Sequence, residues 1–342
     1  MSLQKSKRVR LVLTKGVIMR RILIASVLLA AGLQPVFAAD GKLVLYTSQP
    51  NTDAQQTADA FMAKNPGIKV EWVRDGTPKI MAKLRAEIEA GQPQPDVLLI
   101  ADVVTMEGLK KEGRLLPFKD AKTSGIDAAL IDKDGTYFST KLITTGIVYN
   151  TKAPFVPTSW ADLAKPEAKG LVTMPSPLTS GAALIHTVTL TENLKQGWDY
   201  YAELAKNGAQ AAGGNGDILK AVSGGDKLYG MIVDYMPIRE KAKGAPVEFV
   251  FPKEGVSAVT EPAGILSTAK NPEAAKAFIN FLLSKDGQEL AAKMGYIPAS
   301  ADVALPAGYP DRASIRVMKF DAAGALANET KNKEKFSEVM GQ

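Results

Sequence analysis

From residue 40 onward the chain alternates short apolar runs with stretches of helical period. KLVLYTS (42–48) is β-rich. In TDAQQTADAFMAKNPG (52–67), Ala54, Thr57, Ala58 and Phe61 recur at helical spacing, and Asn65-Pro66-Gly67 ends the pattern. IKVEWV (68–73) then alternates as a strand, followed by RDGT, a helical segment over Lys79–Ala90, the breaker GQPQP and the apolar run DVLLIA. Such strand–helix alternation predicts an open sheet with helices on both faces. Further on, TTGIVYNTK predicts a strand crossing into a second lobe, LVTMP a short strand, and GAALIHTVTLT a helix or a helix with a β-rich tail. ENLKQGWDYYAELAKNG predicts one helix with Leu194, Trp198, Tyr201 and Leu204 on its face, and NPEAAKAFINFLLSKDGQELAAKM predicts another. The expected class is α/β, in two lobes.

In an open α/β sheet, ligands collect beyond the carboxyl ends of the strands. Polar clusters occupy such places: Thr47-Ser48-Gln49, Arg74-Asp75-Gly76-Thr77, Asp102, and Asp234-Tyr235. A further cluster, MPSPLTSGAAL (174–184), sets Ser176, Thr179, Ser180 and Gly181 before an apolar run. Either Thr179 or Ser180 caps a helix, or the hydroxyls and helix-start amides together hold an anion. Asn215-Gly216-Asp217 carries the same two readings, and Arg74 beside Asp75 is either a solvated turn or a pair of anchors for opposite ligand charges. Asp75, Asp102, Asp234 and Glu261 are candidate anchors for a positive group, and Tyr235 offers a ring with a hydroxyl.

Catalytic chemistry finds little material. His186 is the sole histidine and stands among Leu184, Ile185 and Val188, the setting of a core residue. The chain has no cysteine, which removes disulfides, thiolate metal sites and cysteine nucleophiles. No set of nucleophile, base and orienting acid is apparent, and GGNGDILK does not match a nucleotide-binding glycine loop. No enzyme, cofactor or resident metal is therefore expected, and a secreted hydrolase is the rival class.

Charge changes its meaning once the first 38 residues are set apart. They hold seven cations (Lys5, Lys7, Arg8, Arg10, Lys15, Arg20, Arg21) and no acid, then the apolar run ILIASVLLAAG and the small residues Val36 and Ala38. These are the parts of an export signal, predicted as residues 1–38; an uncleaved anchor is the alternative, and Met19 offers a second start. Of 42 basic residues the remainder keeps 35, against 36 acidic ones. A nucleic-acid partner loses its electrostatic basis.

The order of LVLYTSQPNTDAQQTADAFMAKNPGIKVEWV, DVLLIAD, TGIVYNTK, PSPLTSGAAL, GNGDILKAVSGGDKLYGMIVDY and the TEPAGILSTAKNPEAAKAFINFLL region resembles bacterial ABC-transporter substrate-binding proteins, in the branch of ferric, phosphonate and sugar-phosphate binders. The resemblance implies a type 2 periplasmic binding protein fold: doubly wound sheets joined by crossover strands, with lobe 1 from 39–145 and 259–342 and lobe 2 from 146–258. It implies a monomer in the periplasm that closes on a solute and delivers it to an ABC permease. Within the branch, YTSQPNTDA, VRDGT and IADVVTM look like 2-aminoethylphosphonate binders. Their phosphonate would meet Ser176, Thr179, Ser180 and Gly181, and their ammonium Asp75, Asp102 or Asp234. A hexose phosphate is the alternative, with Gln49, Asn51, Asn215 or Tyr235 meeting sugar hydroxyls. Ferric ion is a further one, weakened because Tyr235 is followed by Met236 where ferric members carry adjacent tyrosines.

Overall fold

Two β-sheets organise the chain in a computed structural model that describes residues 41–342; the predicted leader lies outside the described residues. In the first sheet β1 (Gly41–Thr47) runs parallel between β2 (Ile68–Arg74) and β3 (Val97–Leu99). Beside β3 lie β11 (Pro262–Ile265) and then β4 (Tyr137–Ser139), both in antiparallel pairings. Helices α1 (Asn51–Lys64), α2 (Thr77–Glu89) and α3 (Val103–Lys111) each follow one of the parallel strands. The predicted spacing on α1 is the buried face: Ala54, Ala58 and Phe61 are fully covered, and Phe61 meets Phe278 edge-on at 5.0 Å.

The second sheet is built on β5 (Lys141–Asn150). It pairs with β8 (Tyr229–Val233) on one side, and β6 (Val172–Met174) and β7 (Gln210–Ala211) continue outward from β8. Along its other partners, β5 also pairs with β9 (Val247–Val250), β10 (Ser257–Val259) and β12 (Ile297–Pro298). Helices α4 (Gly181–Asn193), α5 (Trp198–Lys206), α6 (Asn215–Gly224) and α7 (Tyr235–Ala242) belong to this half. Two crossings between the sheets run directly from strand to strand, from β4 to β5 and from β10 to β11. The crossings are tied together where Thr140 N donates to the Thr260 carbonyl at 3.1 Å and Thr140 Oγ1 to that of Glu261 at 2.8 Å. This is the expected pair of doubly wound lobes joined by crossover strands.

Three predicted helices differ in extent. The segment 192–208 is not one helix: α4 runs to Asn193, and Gly197, at φ 55°, breaks the path before α5 begins at Trp198. The segment 271–294 divides into α8 (Pro272–Leu283) and α9 (Lys285–Lys293). Ser284 adopts extended angles and its Oγ accepts from Gly287 N, while a Cβ at Gly287 would lie 2.1 Å from the Phe281 carbonyl oxygen. Only glycine allows so tight a reversal. Helix α2 starts two residues earlier than its period suggested, at Thr77.

The tail beyond residue 300, which the sequence grouped beside lobe 1 as a C-terminal tail, packs on both halves. Val256 N donates to Arg316 and Met318 N to Val256, both at 2.8 Å, joining the tail to the second half. Next, α10 (Ala322–Ala327) packs on α3, and α11 (Glu329–Met340) packs on α5 with Phe336 meeting Tyr201 at 5.6 Å.

Candidate functional site

Between the two sheets lies a cavity of about 630 Å³. The first half lines it with Ser48, Asn51, Thr52, Arg74 to Thr77, Lys79 and Ala101, and the second with Thr179 to Ala182, Gly213 to Asp217, Val233, Tyr235 and Met236. Ile143 and Glu261 reach it from the crossing segments. Five helices begin at this wall: the first amide of α7, Tyr235 N, is taken by Asp234, and the other four, α1, α2, α4 and α6, leave first-turn amides open. Their first-turn amides have no intrahelical acceptor by geometry. Among the described residues the amides of Asn51, Thr52, Thr77, Gly181, Ala182, Asn215 and Gly216 have no hydrogen-bond partner, and all seven residues line the cavity.

The local sequence explains why these donors stay open. At α4, Ser180 Oγ accepts from Ala183 N at 3.3 Å and its carbonyl accepts from Leu184 N, so the capping reading of Ser180 is the observed one. That leaves Gly181 and Ala182. Thr179 Oγ1 donates to the Gly213 carbonyl at 2.5 Å, tying the α4 loop to the α6 loop. At α6, Asp217 accepts from Gly214 N at 2.9 Å, leaving Asn215 and Gly216, while Asn215 Oδ1 accepts from Val233 N. At α2, Asp75 accepts from Gly76 N at 2.7 Å, and Pro78 brings no N–H, so Thr77 alone points an amide outward.

Side-chain charge at the cavity nearly cancels. Arg74 and Lys79 face Asp75 and Asp217, with Lys79 and Asp75 3.7 Å apart, and Arg74 Nε donates to the Gln49 carbonyl. Glu261 is matched by Lys141 at 2.5 Å, both side chains 3% exposed. What remains is the positive end of four helix dipoles.

Ser48, Arg74, Asp75, Thr77, Thr179, Ser180, Gly181, Asn215 and Tyr235 thus come together as the sequence suggested, and so does Glu261. Five candidates do not line the cavity. Gln49 is buried, its Nε2 donating to Glu261 Oε2 at 3.4 Å. Thr47 is fully buried, its Oγ1 accepting from Gln49 N. Ser176 Oγ donates to Gln342 Oε1 at 2.7 Å and accepts from Leu178 N, so it braces the loop from behind. Asp102 caps α3, accepting from Val104 N, Thr105 N and Thr105 Oγ1. Asp234, fully buried, accepts from Thr144 N, Thr144 Oγ1 and Tyr235 N. Each of these two carboxylates holds a strand end to the following helix. Thr52, Lys79 and Ile143 went unforeseen, because nothing in their local pattern separates them from ordinary surface and core positions.

Burial raises the Asp234 pKa to about 6 against the hydrogen bonds from Thr144 and Tyr235 that lower it. Between pH 4 and 6 the folded protein holds this proton and the unfolded chain releases it, so stability falls as pH rises through that window, by on the order of 3 kcal/mol. Carboxyl-carbon NMR should show Asp234 titrating near pH 6. A midpoint near the ordinary aspartate value would contradict its placement. His186 is a packing residue: its Nδ1 lies 2.9 Å from Ser257 Oγ, its ring 4.9 Å from that of Trp160, and burial lowers its pKa to about 3. The Tyr235 ring lies tilted against that of Tyr296, centres 4.4 Å apart, and burial, then the charges of Glu261 and Asp53, push its phenol pKa well up.

A family model for bacterial extracellular solute-binding proteins matches residues 56–316. A Haemophilus influenzae protein described as uncharacterised is 30% identical over 286 residues, covering 80% of this chain and 82% of that protein. The Fe(3+)-binding periplasmic protein of Serratia marcescens is 26% identical over 280 residues, 79% of this chain and 81% of its own. Among solved structures, the periplasmic binding protein AfuA of Actinobacillus pleuropneumoniae with bound fructose-6-phosphate superposes with a TM-score of 0.81 at 24% identity, over 88% of this chain and 99% of that one. With the two lobes and the cavity between them, these matches mean that the chain belongs to the bacterial extracellular solute-binding proteins, as the periplasmic binding component of an ABC importer.

Proposed function

We propose that the cavity captures a small phosphorylated organic anion, a hexose phosphate. The observation that carries this is the meeting of four helix starts at one wall, with seven amides lacking acceptors. A multiply charged oxyanion satisfies such donors and the helix dipoles together. Asn51, Thr52, Thr77, Thr179, Asn215 and Asp217 supply polar groups for hydroxyls, and 630 Å³ lies in the range of small-molecule sites. The relatives' own solutes differ in sign of charge, Fe(3+) in one and fructose-6-phosphate in another, so similarity at these identities leaves the choice to the site. A ferric cage here would have to ionise the Tyr235 phenol against burial and two nearby carboxylates, with Met236 as its neighbour. The site favours the anion.

A second reading, 2-aminoethylphosphonate, uses the same amides and needs a carboxylate for the ammonium. Of the three acids first considered, only Asp75 lines the cavity. In either case residues 41–145 with 259–300 close against 146–258, and the monomer presents the closed form to its permease. Calorimetry on protein freed of solute by unfolding and refolding should show one-to-one binding of glucose 6-phosphate or fructose 6-phosphate, with no response to the free hexose. Saturation by Fe(III) without any response to phosphorylated solutes would overturn the proposal, and preference for 2-aminoethylphosphonate would replace the first reading by the second.

A further inference from the structure

Two glycines stand where the lobes touch. Gly76 precedes α2 in the first lobe, with φ −59° and ψ 148°, angles open to any residue. Gly181 is the first residue of α4 in the second lobe, in helical conformation. Neither position requires glycine for its backbone. A Cβ added to Gly76 would lie 2.6 Å from the carbonyl oxygen of Thr179 in the opposite lobe. One added to Gly181 would lie 2.8 Å from Asp102 Cβ and 3.1 Å from the Ala101 carbonyl oxygen, again across the cleft. These obstacles are backbone atoms, or the Cβ beside them, on packed elements that yield little.

We propose that Gly76 and Gly181 set the closing distance between the lobes. Each lets the other lobe's main chain come within contact of its own, and each stands next to a donor of the cavity, the Thr77 amide in one case and the Ala182 amide in the other. A single methyl group at either seam presses on the main chain of the opposite lobe and so separates the donors of one lobe from those of the other. In the open protein the same methyl meets nothing from the opposite lobe. Alanine also suits a helix start better than glycine, so the fold itself is not weakened at residue 181. What is enclosed on closure rests on the preceding solute proposal; the seam contact does not.

The absence of cysteine allows spin labels to be placed on cysteines introduced at Lys69 and Lys206, exposed positions in different lobes. Gly76→Ala and Gly181→Ala are expected to leave the solute-free melting temperature unchanged, to weaken glucose 6-phosphate binding about 10- to 100-fold, and to reduce the shortening of the interlobe distance on binding. Gly224→Ala is the control, since the nearest atom to its added Cβ is 4.0 Å away; it should retain both affinity and shortening. Wild-type affinity and full shortening in the two seam variants would overturn the inference. If the unsubstituted protein ignores glucose 6-phosphate, the solute assignment fails and the solute-free distance distributions decide: a smaller short-distance population in Gly76→Ala and Gly181→Ala supports the seam, and identical distributions refute it.

Discussion

Lys141→Ala is expected to cost about 3–5 kcal/mol of folding stability near neutral pH, because it leaves a buried carboxylate without its cation. Lys141 Nζ lies 2.5 Å from Glu261 Oε2, with both side chains 3% exposed, and 4.3 Å from the centre of the Tyr296 ring. The only other side-chain partner of that carboxylate among the described residues is Gln49 Nε2, at 3.4 Å. The pair stands on the two crossing segments, where Thr140 and Glu261 are already bonded, and Glu261 holds a φ of 37° that a non-glycine residue adopts only under restraint.

The loss should depend on pH in a fixed direction. Burial already raises the Glu261 pKa, and Lys141 is the main influence lowering it. Without the lysine, folded Glu261 keeps its proton to higher pH than the unfolded chain does. The variant's deficit is then smallest below about pH 4.5 and grows as pH rises above it. Urea unfolding at pH 4.5 and 7.5 measures this, and an equal deficit at both would refute the assignment. Lys141→Met with Glu261→Gln removes both charges and should recover most of the stability.

Asp53→Ala should produce a loss of similar size through a contact between the lobes. Asp53, on α1, accepts from Arg239 Nη1 of α7 at 2.9 and 3.2 Å, and from the Tyr296 hydroxyl. The guanidinium lies between the Tyr235 and Tyr296 rings, 4.4 and 4.7 Å from their centres. Its Nε and Nη2 are buried and have no partner among the described residues, so Asp53 is its one acceptor. Removing the carboxylate strands a largely buried cation, at about 3–5 kcal/mol, while Asp53→Ala with Arg239→Met should be much milder. Denaturant unfolding of the single and double variants separates the cases. A single-variant loss below about 1 kcal/mol, the value of an exposed pair, would show that the bridge is not formed in solution.

Much of the architecture is legible along the chain. The spacing of Ala54, Ala58 and Phe61 gives the buried face of α1, because a helix repeats every 3.6 residues whatever it packs against. The MPSPLTSGAAL and RDGT stretches both reach the cavity, since the place of a loop after a strand fixes the end of the sheet it serves. The break at Ser284 was hidden: residues on both sides continue a helical pattern, and only the Phe281 carbonyl against Gly287 shows that the chain turns. Asp102 and Asp234 were equally ambiguous, because a carboxylate at a strand end can meet a ligand or its own backbone, and rotamers settle which.

The sequence by itself determined two doubly wound lobes and polar helix starts, which follow from local period and capping chemistry. Tertiary structure alone decided that the starts of α1, α2, α4 and α6 share one cavity, that Gln342 braces Ser176 from 166 positions away, and that Gly76 and Gly181 meet the opposite lobe. Local rules fix how a residue bends its own chain. They carry no term for the second chain segment that closure packs against it.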